Sequence, residues 1–186
     1  MTKVEWLASE DPAAMLRFLQ GFNEPQSKTF TGRLSCCTDR KLNLFISACS
    51  GVDDVVEDAP LGVAMAWVQD EGSVPEKQIA RAALLREIFG NPFRPLTWER
   101  VSVASDEDSL GNTTRETMPG INPTWLTSTV VSLARHIYDT RDFAAMLFLA
   151  DSLEDGGCTD QDVLHHCQGG GPHVRGCWGI DCVVLR

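Results

Sequence analysis

Basic charge is scarce in this chain. Its 186 residues carry 16 lysines and arginines against 26 acids, a formal net charge of −10. Nucleic acid is gripped by clustered Lys and Arg, so this balance argues against a general nucleic-acid binder. Acidity of this size reads instead as a solvated surface that favours solubility. Long apolar runs are also missing. The richest, Phe143 to Ala150, falls far short of the roughly 18 residues that cross a bilayer. The opening Met1-Thr2-Lys3-Val4-Glu5-Trp6 carries an acid early and has no apolar h-region, which makes the cytoplasm the expected compartment. No internal repeat stands out. GxSxG, HExxH, the P-loop and GxGxxG, motifs that announce an activity, are all absent.

What is present is an ordinary globular composition, 43% apolar and 23% charged, at a length that fits one domain with a real core. There are also seven cysteines. In a reducing compartment an odd count points to thiols or metal ligands rather than a disulfide framework.

The periodicities predict an all-α, compact helical bundle. Ser9 can cap a first helix, with Pro12 in its opening turn and Met15, Leu16, Phe18 and Leu19 facing inward. A second helix runs from Thr38 to about Ser50, and a third spans Leu61 to Val68 until Gly72-Ser73 breaks the pattern. An acidic stretch, Asp53 to Asp58, separates those two. Glu76 to Phe89 is a strong helix, stopped by Gly90-Asn91-Pro92. Residues 91 to 122 read as irregular, with a long polar loop over 99–122 whose ends Trp98 and Trp125 could anchor. Helices follow over 124–138 and 141–154. The apolar run Phe143 to Ala150 is expected at the centre of the bundle. Thr159 can cap a last short helix through Cys167. Strand signals are weak: Val101-Ser102-Val103 is brief and Cys182 to Leu185 is the one plausible apolar strand, which leaves room for a small hairpin within an all-α architecture. The expected organisation is a helical domain, 1–157, carrying a small Cys/His-rich element, 158–186.

The sharpest feature is in that last element: Cys158, eight residues, Cys167, five, His173, three, Cys177. Gly169-Gly170-Gly171-Pro172 separates the two pairs and lets the chain turn sharply. Zn²⁺ takes four Cys and His ligands in a closed tetrahedral site, and such a site supplies folding free energy directly. Cys158, Cys167, His173 and Cys177 are therefore the predicted ligands of a structural zinc ion, with His165, His166 and Cys182 as substitutes. The spacing resembles the CCCH-type zinc finger, with the types of the last two ligands exchanged. That resemblance implies the coordination but not RNA binding, because residues 151 to 186 hold six acids and two arginines.

Two other readings use the same residues. Free cysteine often packs as a small hydrophobe, so Cys167, Cys177 and Cys182 can be ordinary buried thiols. Cys36, Cys37 and Cys49 take that reading by default. Alternatively, Cys177 is a nucleophile with His173 as base and Asp181 as orienting group, in a small thiol-dependent enzyme. Arg86, Arg94 and Arg175 are candidate anion ligands, or simply solvated or ion-paired.

Several segments together resemble an uncharacterised family of planctomycete-type bacterial proteins. They are Glu5-Trp6-Leu7 with Asp11-Pro12, Asp39-Arg40-Lys41-Leu42, Leu84 to Pro95, Trp125-Leu126, Ile137-Tyr138-Asp139, Leu149 to Cys158, and His166-Cys167 with Gly171 to Trp178. The resemblance implies a stand-alone bacterial protein and brings no activity with it. The expectation is thus a non-catalytic interaction or regulatory module, stabilised by zinc and engaging another protein rather than nucleic acid or membrane.

Overall fold

Thr2 and Glu5 start the first helix together. Thr2 accepts the Glu5 amide at 3.2 Å while the Thr2 amide donates to Glu5 at 2.6 Å, a capping box that opens α1, Lys3–Ala8. Asp11 accepts the Ala14 amide at 2.9 Å and opens α2, Pro12–Gly21. The cap is Asp11 and not Ser9, because Pro12 takes the first helical position and the cap stands just before it. The structure, a computed structural model, describes residues 1–21, 39–51, 61–69, 74–93, 96–103 and 113–184. Cys36, Cys37, Thr38, the acidic stretch 53–58, Gly72-Ser73, Arg94-Pro95, residues 104–112 and Leu185 lie outside the described residues.

Three helices follow in the first half: α3, Asp39–Ser50; α4, Leu61–Val68; and α5, Pro75–Phe89. α5 ends at Gly90, whose φ of 69° lets its amide return to the Arg86 carbonyl at 2.9 Å. Trp6, Met15, Leu16, Leu19, Phe45, Leu85 and Ile88 are fully buried between these helices and form a first apolar core. Each such side chain stabilises the fold by roughly 1.5–3 kcal/mol on burial.

Part of the stretch expected to be irregular is a hairpin. β1, Thr97–Val103, pairs antiparallel with β2, Thr113–Pro119, with Thr97 opposite Pro119 and Val103 opposite Thr113. Glu99, Arg100, Val101 and Arg115 to Thr117 are exposed, so the pair buries no apolar face there. A strand without a core face lacks the alternation by which strands are recognised, and its composition imitates a loop. Trp98 lies on β1 with Arg100 5.5 Å from its ring.

The second half begins with a 3₁₀ turn, Pro123–Trp125, and α6, Ser128–Thr140, capped by Thr127 through the Val130 amide. Arg141, at φ 61°, turns the chain out of α6 into a 3₁₀ turn, Phe143–Ala145, and then α7, Met146–Asp155. α7 is two-faced rather than central to the bundle. Met146, Leu149, Ala150 and Leu153 are buried, but Leu147 and Phe148 are 56% and 65% exposed. α8, Gln161–Gln168, is capped by Asp160, which accepts the Asp162 and Val163 amides; the cap is one residue later than Thr159. α9, Trp178–Val184, occupies the position expected to be a strand. Ile180 and Val183, three apart, bury one helical side there, so packing overrides the β preference of valine.

α6 to α9 share a second apolar core that runs from Ile121 to Val183. Phe93 packs against the first core and Leu96 against the second, so the two apolar clusters divide there, while α8 and α9 share a core with α6 and α7. The halves meet at α9 and the loop before it. A Cβ on Gly90 would stand 3.1 Å from the Trp178 ring, and one on Gly176 only 2.6 Å from Leu44. Arg40 of α3 donates to both oxygens of Asp181 on α9, at 2.8 and 3.2 Å, and to the Tyr138 hydroxyl at 3.2 Å.

Candidate metal centre

At this junction four side chains point at one another. Glu87 comes from the last turn of α5, His166 from the last turn of α8, His173 from the loop after it, and Cys177 from the residue before α9. One ligand atom from each lies within 4.8 Å of all the others. Cys177 Sγ is 3.0 Å from His166 Nε2, His173 Nδ1 is 3.0 Å from Glu87 Oε1, and His166 Nε2 is 3.7 Å from that oxygen. Metal–ligand bonds of about 2.0–2.3 Å at tetrahedral angles put neighbouring donors roughly 3.5 Å apart. The group has the size of a single coordination shell, and these four donors can hold a metal ion.

Local structure aims the donors. His173 Nε2 donates to the Gly169 carbonyl at 3.0 Å. A carbonyl only accepts, so this bond keeps a proton on Nε2 and turns Nδ1 toward the group, the usual outer support of a ligating histidine. The Cys177 sulfur stands where an N-cap side chain stands and accepts from the Gly179 and Ile180 amides, which favour a thiolate. Gly179 is needed for the approach: a Cβ there would lie 2.7 Å from His166 Cδ2 and 3.7 Å from Cys177 Sγ.

The site is closed to water. The side chains of Glu87, His173 and His166 are 5%, 8% and 14% exposed, and Cys177 is fully buried. Burial, and then the Glu87 carboxylate, hold the Cys177 thiol well above the usual thiol range. Burial likewise pushes His166 down to about 4, against the pull of Glu87. His173 is raised, chiefly by its hydrogen bond to Glu87. Without a metal ion, then, Cys177 keeps its proton facing a neutral His166, and His173, beside Glu87, holds its second proton to a higher pH than a free imidazole. Protons occupy the positions that a cation would take.

No family model, curated protein or solved structure matches the chain. What the centre can do follows from its own chemistry.

Of the residues expected to bind zinc, His173 and Cys177 are in the group, and Cys158 and Cys167 are not. Cys158 closes α7. Gly157, at φ 86°, reverses the chain, and the Cys158 amide returns to the Leu153 carbonyl at 2.9 Å. Its side chain and that of Leu153 then bury in the second core, the apolar contact typical of this helix ending. Cys167 is one residue past His166, and on a helix that residue turns about 100° away. It too faces the second core, where burial pushes its thiol up to about 12. His166 had been a substitute ligand, whereas His165 beside it is exposed. Cys182 donates to the Gly179 carbonyl at 2.9 Å. Cys49 is half-buried, its thiol raised by burial to about 11.

Glu87 was not among the ligands expected from the sequence. It lies 86 residues from His173, on a helix whose apolar spacing gives it no distinction. The only signal available was a pair of charged residues, Arg86 and Glu87, between Leu85 and Ile88, both of which are buried.

The groups of a thiol enzyme are otherwise engaged. Cys177 is buried with a raised rather than depressed pKa, and both nitrogens of His173 are bound to other partners. Asp181 gives its oxygens to Arg40. Among the arginines considered for an anion site, Arg86 donates to the Trp6 and Ser9 carbonyls, and Arg175 lies 5.6 Å from the Tyr138 ring.

Proposed function

We propose that Glu87, His166, His173 and Cys177 bind one structural zinc ion, and that the protein so held is a non-catalytic interaction module. The observation that carries this is the convergence of four donors, two buried and two half-buried, from the two halves of the fold. Zinc suits the donor set, because a thiolate, two imidazoles and a carboxylate are all among its ordinary ligands. Two negative donors and a divalent cation also sum to zero charge, which a buried site requires.

A structural role fits better than a catalytic one. Catalytic zinc keeps a coordination position for water or substrate, and here four protein donors fill a tetrahedron. What the ion would do is mechanical: it ties α5, on the first core, to α8 and the start of α9, on the second. The Gly169 carbonyl and the Gly179 and Ile180 amides would hold His173 and Cys177 in their ligating forms. A bacterial, cytoplasmic protein suits the sequence resemblance and a chain whose Cys49, Cys158, Cys167, Cys177 and Cys182 are free thiols. No helix among the described residues is long and apolar enough to cross a membrane.

Elemental analysis of the purified full-length chain, with thermal melts before and after a chelator, tests the reading. We expect about one zinc per chain and a lower Tm once it is removed. A chain that binds no metal, or whose melt ignores the chelator, overturns the proposal.

A further inference from the structure

We infer that the exposed face of α7 is a docking surface for a basic, amphipathic helix of a partner protein. The inference rests on the interaction-module reading but not on the metal ion. With Met146, Leu149, Ala150 and Leu153 turned into the second core, the opposite side of α7 carries Leu147, Phe148, Asp151, Glu154 and Asp155. Leu147 and Phe148 are 56% and 65% exposed, and exposed Ala144 stands one turn before them. These positions repeat at the three- and four-residue steps by which one helix reads another.

Two local rules are broken on this one face. Large apolar side chains stand in water, and Glu154 and Asp155 stand at the negative end of a helix with no basic residue in its last turn, with Asp151 one turn before them. Among the described residues, no cation or hydrogen-bond donor reaches the carboxylates of Asp151, Glu154 or Asp155. Each feature weakens the isolated chain, and coinciding violations are expected where a surface serves a function. A helix with an apolar anchor over Leu147 and Phe148, and Lys or Arg one to two turns on, about 5–10 Å away, corrects both at once. The sign excludes the other large partners, because nucleic acid and anionic lipid are repelled by the same carboxylates.

The other exposed apolar residues name no partner. Met1, Val4 and Leu7 sit on or just before the six-residue α1, where Lys3 and Glu5 carry opposite charges and select neither sign of partner, and Val63, Val74, Ile79 and Val101 are scattered. Isolated surface apolars of that kind are normal.

The test is a titration of the full-length, metal-loaded chain with a synthetic helical peptide of Leu and Lys at amphipathic spacing, followed by amide chemical shifts. A scrambled peptide of the same composition is the control. We expect shifts confined to residues 144–155 and little binding of the scrambled peptide. Phe148→Ser and the pair Asp151→Asn with Asp155→Asn should each weaken binding about tenfold. Added salt should weaken it further in the parent chain and much less in the Asp→Asn pair. Equal binding of both peptides, or shifts elsewhere, would mean that net acidity alone attracts them, and the inference fails. It fails also if ultracentrifugation shows the chain pairing with itself in a way Phe148→Ser abolishes, since the occupant is then a second copy. Zinc content and Tm measured on the same samples distinguish failure here from failure of the metal reading.

Discussion

The Cys177 sulfur lies 3.0 Å from Nε2 of His166, across eleven residues and between the end of one helix and the start of the next. Gly169 to Gly171 and Pro172 make the turn that brings the two ends together. The loop also carries His173, which its own Gly169 carbonyl orients. Three of the four donors therefore belong to one local structure, and Glu87 closes the shell from the other half of the fold.

The two possible ligand sets differ in their response to substitution. Cys177→Ser and His166→Ala should each abolish stoichiometric zinc binding and lower Tm. Cys158→Ser and Cys167→Ser should leave zinc bound. Cys167→Ser should still cost roughly 1–3 kcal/mol, because it places a hydroxyl in an apolar core. Zinc retained by Cys177→Ser but lost from Cys167→Ser would reverse our assignment.

Metal binding should release protons. Near pH 6, below the raised pKa values of His173 and Cys177, both groups are protonated without the ion and deprotonated with it. About two protons should leave per zinc, with a third as pH falls through the His166 value of about 4. Affinity therefore rises with pH. Calorimetry in buffers of different ionisation enthalpy counts the protons, and a count near zero would contradict the site.

Without zinc, His166 by itself should make the fold acid-sensitive. Its folded pKa of about 4 lies below the usual histidine value, so its contribution is complete above about pH 6.5 and is lost as pH falls toward 4. His173 has the opposite sign: its raised pKa stabilises the fold at low pH and stops doing so as pH rises through it. Denaturant melts of the chelated protein should show that His166→Ala flattens the acid limb, and that His173→Ala leaves that limb in place but removes a loss of stability as pH rises above about 6.5.

Gly179→Ala brings a methyl group within 2.7 Å of His166 Cδ2, while the position itself lies in a helix that alanine favours. We expect zinc affinity to fall about tenfold or more, since a displacement of about 1 Å is costly in a shell this tight. Competition with a chromogenic chelator measures it. Unchanged affinity would show that His166 can move without consequence.

Arg40→Ala removes the partner of Asp181, whose side chain is only 8% exposed. Leaving that carboxylate uncompensated should cost roughly 2–3 kcal/mol by denaturant melts. Zinc stoichiometry should not change, because Arg40 touches none of the four donors. A cost within experimental error would mean that water reaches Asp181 freely.

Much of the fold was legible in the sequence because helices are specified by local signals. The spacing of Ile79, Ala82, Ala83, Ile88 and Phe89, together with the stop at Gly90, locates α5 to within a residue. The caps were legible only to within one or two residues: Asp11 and Asp160 hold the positions expected of Ser9 and Thr159. The hairpin left only a faint trace, the brief Val101-Ser102-Val103, because its exposed residues lack a core-facing alternation. α9 was hidden because valines that favour strands were packed as a helix against a core not visible in one dimension.

Sequence alone determined that the last thirty or so residues hold thiols and imidazoles close enough along the chain to meet, and that a glycine-rich turn joins them. It could not decide which of His166 and Cys167 faces inward, since neighbours on a helix point about 100° apart and the choice depends on where the helix packs. Nor could it supply Glu87, which reaches the site only because α5 and α9 come together at Gly90 and Trp178. Spacing limits which donors can approach one another, but the packing of two apolar cores sets the directions in which they point.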